Sequence, residues 1–259
     1  MRIISWNINS IRLRIDLIGL LQTKYNPDII LLQETKTENI FFPVEACTNF
    51  SFTHQYFEGE KSYNGVAILS KIPFNEKFSL AFYNGDKRHV AVKIKDLEIH
   101  NFYIPSGGDI PDPELNPKFK HKLAYLDEMH KWFLVNRMPD RQILLAGDLN
   151  ISPLEHDVWS SRALRNEVSH TDIERKIMMD MIKEFEWRDI AREFIPHNNK
   201  LYSWWSYRNK DWKKSNRGRR LDHIWLNNHA SHNVSHFEII KEARDWTRPS
   251  DHVPVLIVI

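Results

Sequence analysis

The chain is nearly free of cysteine. Cys47 is the one thiol in 259 residues, so no disulfide can close within the chain. That excludes a disulfide-stapled scaffold and fits a reducing compartment. Long apolar runs are also missing. None approaches the roughly 20 residues that cross a bilayer, which excludes a helical membrane protein. The start, Met1-Arg2-Ile3-Ile4-Ser5-Trp6-Asn7, lacks the apolar centre and small-residue cleavage site of a signal peptide. A cytoplasmic protein without a membrane partner is expected. Neither sign of charge dominates, the net value being +2. Repeats, low-complexity tracts and an interdomain linker are absent. Residues 1–259 are therefore expected to form one domain, and the apolar fraction of 42% is enough for a substantial core.

What is present is an alternation of short apolar runs and helical patterns. Arg2 to Ile8 reads as a strand. Ser10 can cap a helix bearing Ile11, Ile15, Ile18 and Leu21 on one face. Asp28 to Glu34 is the next strand. Phe52 to Phe57, Tyr63 to Ser70, His89 to Ile94 and Leu97 to Ile104 follow, the last two joined by Lys95-Asp96. A loop rich in Gly and Pro leads to a helix with Phe119, Leu123, Leu126, Met129 and Phe133 on one face. Arg141 to Ala146 is a buried strand. Thr171-Asp172-Ile173-Glu174 is a capping box that opens another helix. Leu201 to Tyr207, Leu221 to Leu226, His236 to Ile240 and Val253 to Ile259 complete the strands. Helices mixed with hairpins argue for an α/β fold with mixed sheets.

Polar groups recur where these apolar strands end. Asn7 follows Ile3-Ile4-Ser5-Trp6, and Glu34 follows Ile29-Ile30-Leu31-Leu32-Gln33. Asp148 and Asn150 follow Ile143-Leu144-Leu145-Ala146-Gly147. Asp222 opens Asp222-His223-Ile224-Trp225-Leu226, and Asp251-His252 precedes the final apolar run. Buried carboxylates are costly unless a cation or hydrogen-bond donors compensate them. Five such strand ends point to one convergent site. Separately, Lys200 to Arg220 holds eight Lys/Arg against one acid, interleaved with Tyr202, Trp204, Trp205, Tyr207 and Trp212. Cations neutralise phosphates and aromatic faces stack on bases, so this segment is a candidate nucleic-acid surface.

Seven blocks make the pattern specific. Trp6-Asn7-Ile8-Asn9, Leu32-Gln33-Glu34-Thr35-Lys36, Asn64-Gly65-Val66-Ala67, Asn101-Phe102-Tyr103-Ile104-Pro105, Gly147-Asp148-Leu149-Asn150, Arg217-Gly218-Arg219-Arg220-Leu221-Asp222 and Ser250-Asp251-His252 occur in the order of the exonuclease III family. The resemblance covers essentially the whole chain. It implies a four-layered α/β sandwich of the DNase I-like type, with two mixed β-sheets face to face and helices outside. It also implies Mg²⁺-dependent hydrolysis of DNA phosphodiester bonds, with Mn²⁺ as an alternative metal. The substrates would be double-stranded DNA with abasic sites, cut on the 5′ side, or 3′ ends to be trimmed, and the enzyme would be a monomer.

Carried over residue by residue, the resemblance makes Glu34 the principal metal ligand, a hard donor for a hard cation. Asn7 would touch metal and phosphate. Asp148 would take a proton from the attacking water or orient it. Asn150, two residues on, would face the same side of an extended chain and hold Asp148 and the phosphate. His252 would contact the scissile phosphate, and Asp222 would accept its other ring N–H. Asp251 would be a metal-site or water-bridging carboxylate, and Tyr103 would contact the phosphate. The metal set is thus Asn7, Glu34, Asp148, Asn150, Asp251 and His252. The expected DNA contacts are Trp204, Arg217, Arg219, Leu221 and Ser106.

Two positions depart from the family's pattern. Ser106 stands where Asn or Gln is expected, and Arg219 stands where a bulky apolar residue lines the abasic-sugar pocket. Lys118, Lys120, His121 and Lys122 offer an alternative grip on the DNA backbone. Two rival functions remain at this stage. One is a phosphodiesterase of the same superfamily with a lipid substrate. The other is a DNA-binding module without catalysis, against which the complete polar set argues.

Overall fold

The structure is a computed structural model that describes residues 1–137, 141–228 and 233–259. In chain order the strands are β1 (Arg2–Asn7), β2 (Ile29–Gln33), β3 (His54–Glu60), β4 (Tyr63–Ser70) and β5 (Glu76–Phe78). Next come β6 (His89–Ile94), β7 (Leu97–Tyr103), β8 (Gln142–Asp148), β9 (Trp187–Asp189) and β10 (Trp204–Trp205). The last are β11 (Gly218–Arg219), β12 (Asp222–Asn227), β13 (His236–Ile239) and β14 (Val255–Val258). The helices are α1 (Ile15–Tyr25), α2 (Val44–Asn49), α3 (Pro117–Asn136), α4 (Ser161–Leu164), α5 (Asp172–Glu184), α6 (Ile190–Phe194) and α7 (Trp212–Ser215).

Two six-stranded mixed sheets dominate. One has the order β13-β14-β1-β2-β4-β3, the other β5-β6-β7-β8-β12-β9. Strand residues alternate between faces, and both faces here are buried. Ile3, Ile29, Leu31 and Ile68 of the first sheet pack on Val90, Val92, Ile99, Leu144 and Ile224 of the second. Their neighbours Ile4, Ile30, Leu32 and Leu69 turn outward onto Leu17, Ile18 and Leu21 of α1. Phe102, Ile143, Leu145 and Trp225 turn outward onto α3 and α5 through Leu126, Met129, Phe133, Met178 and Met181. The layers are therefore helix, sheet, sheet, helix, as the resemblance implied. Covering both faces explains why the strands read as continuous apolar runs. Each fully buried Leu or Ile contributes about 1.5–3 kcal/mol relative to exposure.

Several sequence expectations are corrected. Ser10 does not cap a helix. The backbone N–H groups of Ile8, Ser10 and Ile11 donate to the carbonyls of Gln33, Glu34 and Thr35. This holds the segment against the second strand's loop, and α1 begins only at Ile15. The expected strand from Leu201 to Tyr207 shrinks to Trp204–Trp205. The Leu201 N–H goes to the carbonyl of His156, and only Trp204 and Trp205 find register partners, in Arg219 and Gly218. The short strands β5, β9 and β11 carried too few residues to show a period. The capping box at Thr171 and Glu174 is present as read. Lys122 lies in the core and pairs with Glu174, so it grips no DNA. His121 faces Asp86. Among the described residues no helix is long and apolar enough to cross a membrane.

Candidate active site

Strand register assembles the polar ends. β1 and β2 run parallel with Asn7 opposite Gln33, so Glu34 emerges beside Asn7. β7 and β8 run parallel with Tyr103 opposite Asp148. β12 is antiparallel to β8 and sets Asp222 opposite Asp148. β14 is antiparallel to β1 with Val255 opposite Ser5, which returns Asp251 and His252 toward Asn7. Ser250 Oγ donates to the Asn7 carbonyl at 2.8 Å, and Trp6 Nε1 donates to the His252 carbonyl at 3.1 Å. These bonds lock the final loop onto the first strand.

Gly147 makes the approach to Asp148 feasible. Its φ is +143°, and a Cβ there would lie 1.9 Å from the Phe102 carbonyl oxygen. Any side chain would push β8 off β7 and displace the carboxylate that follows.

Asp148 accepts from two carboxamides and one backbone N–H. Its Oδ2 accepts from Asn7 Nδ2 at 2.8 Å and from Asn150 Nδ2 at 3.1 Å, and its Oδ1 accepts from the Asn150 backbone N–H at 3.0 Å. Asn150 does not reach Asp148 along an extended chain, as expected from the sequence. Its φ is +53°, and the turn folds it back onto the carboxylate. Left-handed backbone at a residue with a Cβ costs on the order of 1–3 kcal/mol, so the surrounding contacts must hold it. Burial pushes the Asp148 pKa up to about 7, against the lowering effect of the neighbouring His252 charge.

His252 and Asp222 form a buried pair. His252 Nδ1 lies 2.8 Å from Asp222 Oδ2, and Nε2 lies 3.7 Å from Asp148 Oδ2. Burial opposes a charge on this ring, yet the carboxylates of Asp222 and Asp148 outweigh it and push its pKa up to about 10. The ring is therefore an imidazolium at neutral pH, with Nε2–H directed at the cleft. A protonated ring has no lone pair for a metal. In this protonated form His252 serves the cleft as a hydrogen-bond donor, and its ring also lies within ligand distance of the Asp148 and Asp222 oxygens. Ser203, which the sequence did not single out, fixes Asp222. Its Oγ donates to Asp222 Oδ2 at 2.6 Å and accepts from the backbone N–H groups of Leu221 and Asp222, each at 3.1 Å.

Glu34 has φ +56° and stands half-buried, 2.8 Å from Lys36 Nζ. Lys36 also donates to Asn9 Oδ1 at 2.8 Å, and Asn9 Nδ2 donates to Asp251 Oδ1 at 2.9 Å. Trp204 Nε1 donates to the other oxygen of Asp251 at 2.9 Å. Burial raises the Asp251 pKa, but His252, Asn9 and Trp204 together bring it below the usual carboxylate value. Asn9 and Lys36 were part of the matched blocks and had received no role. Tyr103 carries the Arg88 guanidinium 4.8 Å from its ring centroid. Burial and the charges of Glu34 and Asp148 push its phenol well above the ordinary value, so it remains an O–H donor.

A cleft of about 300 Å³ runs over these groups. Asn7, Glu34, Tyr103, Asp148, Asn150, Asp251 and His252 line it, as do the expected DNA contacts Ser106, Trp204, Arg219 and Leu221. Asp222 lies beneath it. Arg217 is not in this cleft. It sits exposed over Trp159, 4.8 Å from the ring centroid, and lines a neighbouring cavity with Arg208 and Glu167. Gly108, Val168 and Ser169 also line the main cleft and had escaped the sequence reading, because nothing local marks them.

The donor set suits a hard divalent cation. Among the described residues, Asp148, Asp222 and His252 offer ligand atoms within 4.8 Å of one another. Asp222 Oδ1 is buried without a hydrogen-bond partner. Besides the His252 ring, the donors lining the cleft are oxygens of Asn7, Glu34, Asp148, Asn150 and Asp251, the type that binds Mg²⁺. The oxygens of both Asp148 and Asp251 already accept hydrogen bonds from neighbouring side chains or backbone.

The chain is similar to known proteins along its whole length. The chain is 28% identical to exodeoxyribonuclease III of Haemophilus influenzae over 267 residues, which cover 98% of both chains. Its fold is similar to that of an AP endonuclease from Archaeoglobus fulgidus, with a TM-score of 0.92, 28% identity, and 100% and 99% of the two chains covered. It is also similar to the 3′ phosphatase NExo from Neisseria bound to product DNA hairpin, with a TM-score of 0.90, 26% identity, and 100% and 99% covered. The sequence model of the endonuclease/exonuclease/phosphatase family matches residues 4–252, and the chain belongs to that family.

Proposed function

We propose that this protein is a DNA-repair nuclease of the exodeoxyribonuclease III kind. It hydrolyses phosphodiester bonds of duplex DNA on the 5′ side of abasic sites and removes nucleotides or blocking groups from 3′ ends. The observation that carries this reading is the convergence of Asp148, its two carboxamide donors and the His252–Asp222 pair on one cleft. Full-length similarity to nucleases supports it.

The reaction assigns each group a task. Asp148, with a pKa near neutrality, takes the proton of the attacking water. Asn7 and Asn150 hold its carboxylate in place. His252 donates from Nε2 to the phosphate oxygens, where negative charge grows in the transition state. Tyr103 donates its phenol proton as a hydrogen bond to the same phosphate. Glu34, with Asn7 and Asp148, would hold the metal, and Asp251 would reach it through water. A bound Mg²⁺ or Mn²⁺ supplies Lewis-acid charge at the phosphate. The upstream strand leaves as a 3′-hydroxyl. The DNA runs across Trp204, Leu221 and Ser106, with Arg217 at its flank. We further read a cytoplasmic monomer, a single domain whose one cysteine is buried.

The test is a duplex with one abasic site and a second duplex with a blocked 3′ end, each with and without Mg²⁺. Metal-dependent incision of the first and trimming of the second are expected. Binding without cleavage in any divalent metal would return the protein to the class of non-catalytic DNA binders.

A further inference from the structure

Arg219 puts a cation in the part of the cleft away from the reacting groups. Its Nη1 donates to the Val168 carbonyl at 2.9 Å and to Ser169 Oγ at 2.6 Å. Both partners are neutral. Among the described residues, Nε and Nη2 have no partner and Arg219 forms no ion pair. Arg220 shows what a structural arginine looks like here. It points to the opposite side and pairs with Asp157 at 3.0 Å and Asp189 at 2.8 Å. The carboxylates of Glu167 and Glu174 act on it only from a distance, and a half-buried guanidinium without a directly paired counter-charge is costly to keep. Its planar fork suits an incoming carboxylate or phosphate.

Sheet register places Arg219 relative to the chemistry. His252 is bridged to Trp204, and Trp204 is paired with Arg219. Residues directly opposite on neighbouring strands project to the same face. His252, Trp204 and Arg219 thus stand in a row across the cleft floor. Two inter-strand spacings, roughly 10 Å in all, separate the outer backbones. The Arg219 guanidinium lies over the Trp204 ring, 5.8 Å from its centroid. A phosphate held at His252 would have its remaining substituent over Trp204, with the far end of that substituent facing Arg219.

We propose that Arg219 makes this cleft select substrates whose released fragment carries an anionic group one short linker beyond the scissile phosphate. This deepens the nuclease reading and rests on it. In the reaction, water adds to phosphorus and the bond from phosphorus to the upstream O3′ breaks. The upstream oxygen takes a proton, and the phosphate stays on the released fragment. The anion on that fragment has two sources. One is a carboxylate that ends a short 3′-blocking ester. The other is the next phosphodiester of a continuing strand. Both offer oxygens to the same guanidinium.

The experiment measures kcat/KM in Mg²⁺ on three duplexes. The first ends in a 3′-phosphoglycolate. The second ends in the neutral 2-hydroxyethyl phosphate ester of similar size. The third has an internal abasic site. The wild-type protein is expected to favour the glycolate over the hydroxyethyl end by tenfold or more. Arg219→Leu is expected to abolish that preference, and Arg219→Lys to restore part of it. If Arg219→Leu lowers the rate on the glycolate alone, the bound anion is the terminal carboxylate. If the internal abasic duplex falls with it, the next phosphate is bound too. Either result supports the proposal. Equal wild-type rates on the charged and neutral ends, with abasic cleavage present, would overturn this inference alone. No cleavage of any of the three would overturn the nuclease reading and this inference with it.

Discussion

From inside the core, Lys122 Nζ donates to the carbonyl oxygen of Asn150 at 2.8 Å. The same ammonium donates to the Ser106 carbonyl at 3.3 Å and pairs with Glu174. Neither side chain of that pair touches solvent. Lys122 therefore ties α3, α5 and two loops of the cleft to one buried charge. Its three donors are all used, so the pair is compensated. Removing one partner leaves the other buried and unpaired, which typically costs about 3–5 kcal/mol. Lys122→Met is expected to lower stability by about that amount, read as the urea midpoint. A midpoint within experimental error of the wild type would show that the donors of Ser169 and Thr171 compensate Glu174 by themselves.

The His252–Asp222 pair makes a kinetic prediction. Asp222→Asn removes the charge that most raises the His252 pKa. The imidazolium is present below its folded pKa and lost as pH rises through it. The alkaline fall of activity, set by a value of about 10 in the wild type, should therefore move to lower pH. Turnover should fall about 10²-fold or more, the scale for losing one transition-state donor. His252→Asn should do the same, and the double variant should cost less than the product of the two losses. Losses that multiply fully would mean that the two residues act separately.

Glu34→Gln keeps shape but removes a charge from the proposed metal donors. The Mg²⁺ concentration for half-maximal activity should rise at least tenfold. The thermal stabilisation that Mg²⁺ gives the wild-type protein should shrink in parallel. An unaltered Mg²⁺ titration by both readouts would remove Glu34 from the metal site.

Acid stability reports on buried histidines away from the cleft. His89 Nδ1 accepts from the Leu80 N–H at 3.0 Å, so its Nε2–H donates to His100 Nδ1, also at 3.0 Å. His100 Nε2–H in turn donates to Glu98 at 2.6 Å. Burial, with His100 and Arg137 nearby, holds the His89 pKa well below its ordinary value. Burial and Arg220 do the same to His223. The unfolded chain binds protons at about pH 6.5 that the folded chain refuses. Stability should be fully present above that pH and should fall as pH drops below it. His89→Gln retains a donor and an acceptor but does not titrate. It should flatten the fall in urea midpoint between pH 6.5 and pH 5, and an identical slope would count against the neutral relay.

The sequence by itself determined the long central strands, because both faces of each sheet are covered and continuous apolar runs have no other home. It also marked the polar strand ends, since Asn7, Glu34, Asp148, Asp222 and His252 interrupt those runs abruptly. It did not determine how those ends meet. That follows from register, which sets Asp222 and Tyr103 on either side of Asp148. Register depends on pairings between strands far apart in the chain. Nor could the sequence show Asn150 folded back through a left-handed turn, Ser203 beneath Asp222, or Lys122 buried under the cleft. A lysine in a basic stretch reads as solvated until Glu174 is brought to it. The resemblance had placed Arg219 at the pocket but gave Arg220 no task. Only the tertiary structure turned Arg220 onto two aspartates and left Arg219 facing the cleft, because successive residues of an extended chain point to opposite sides.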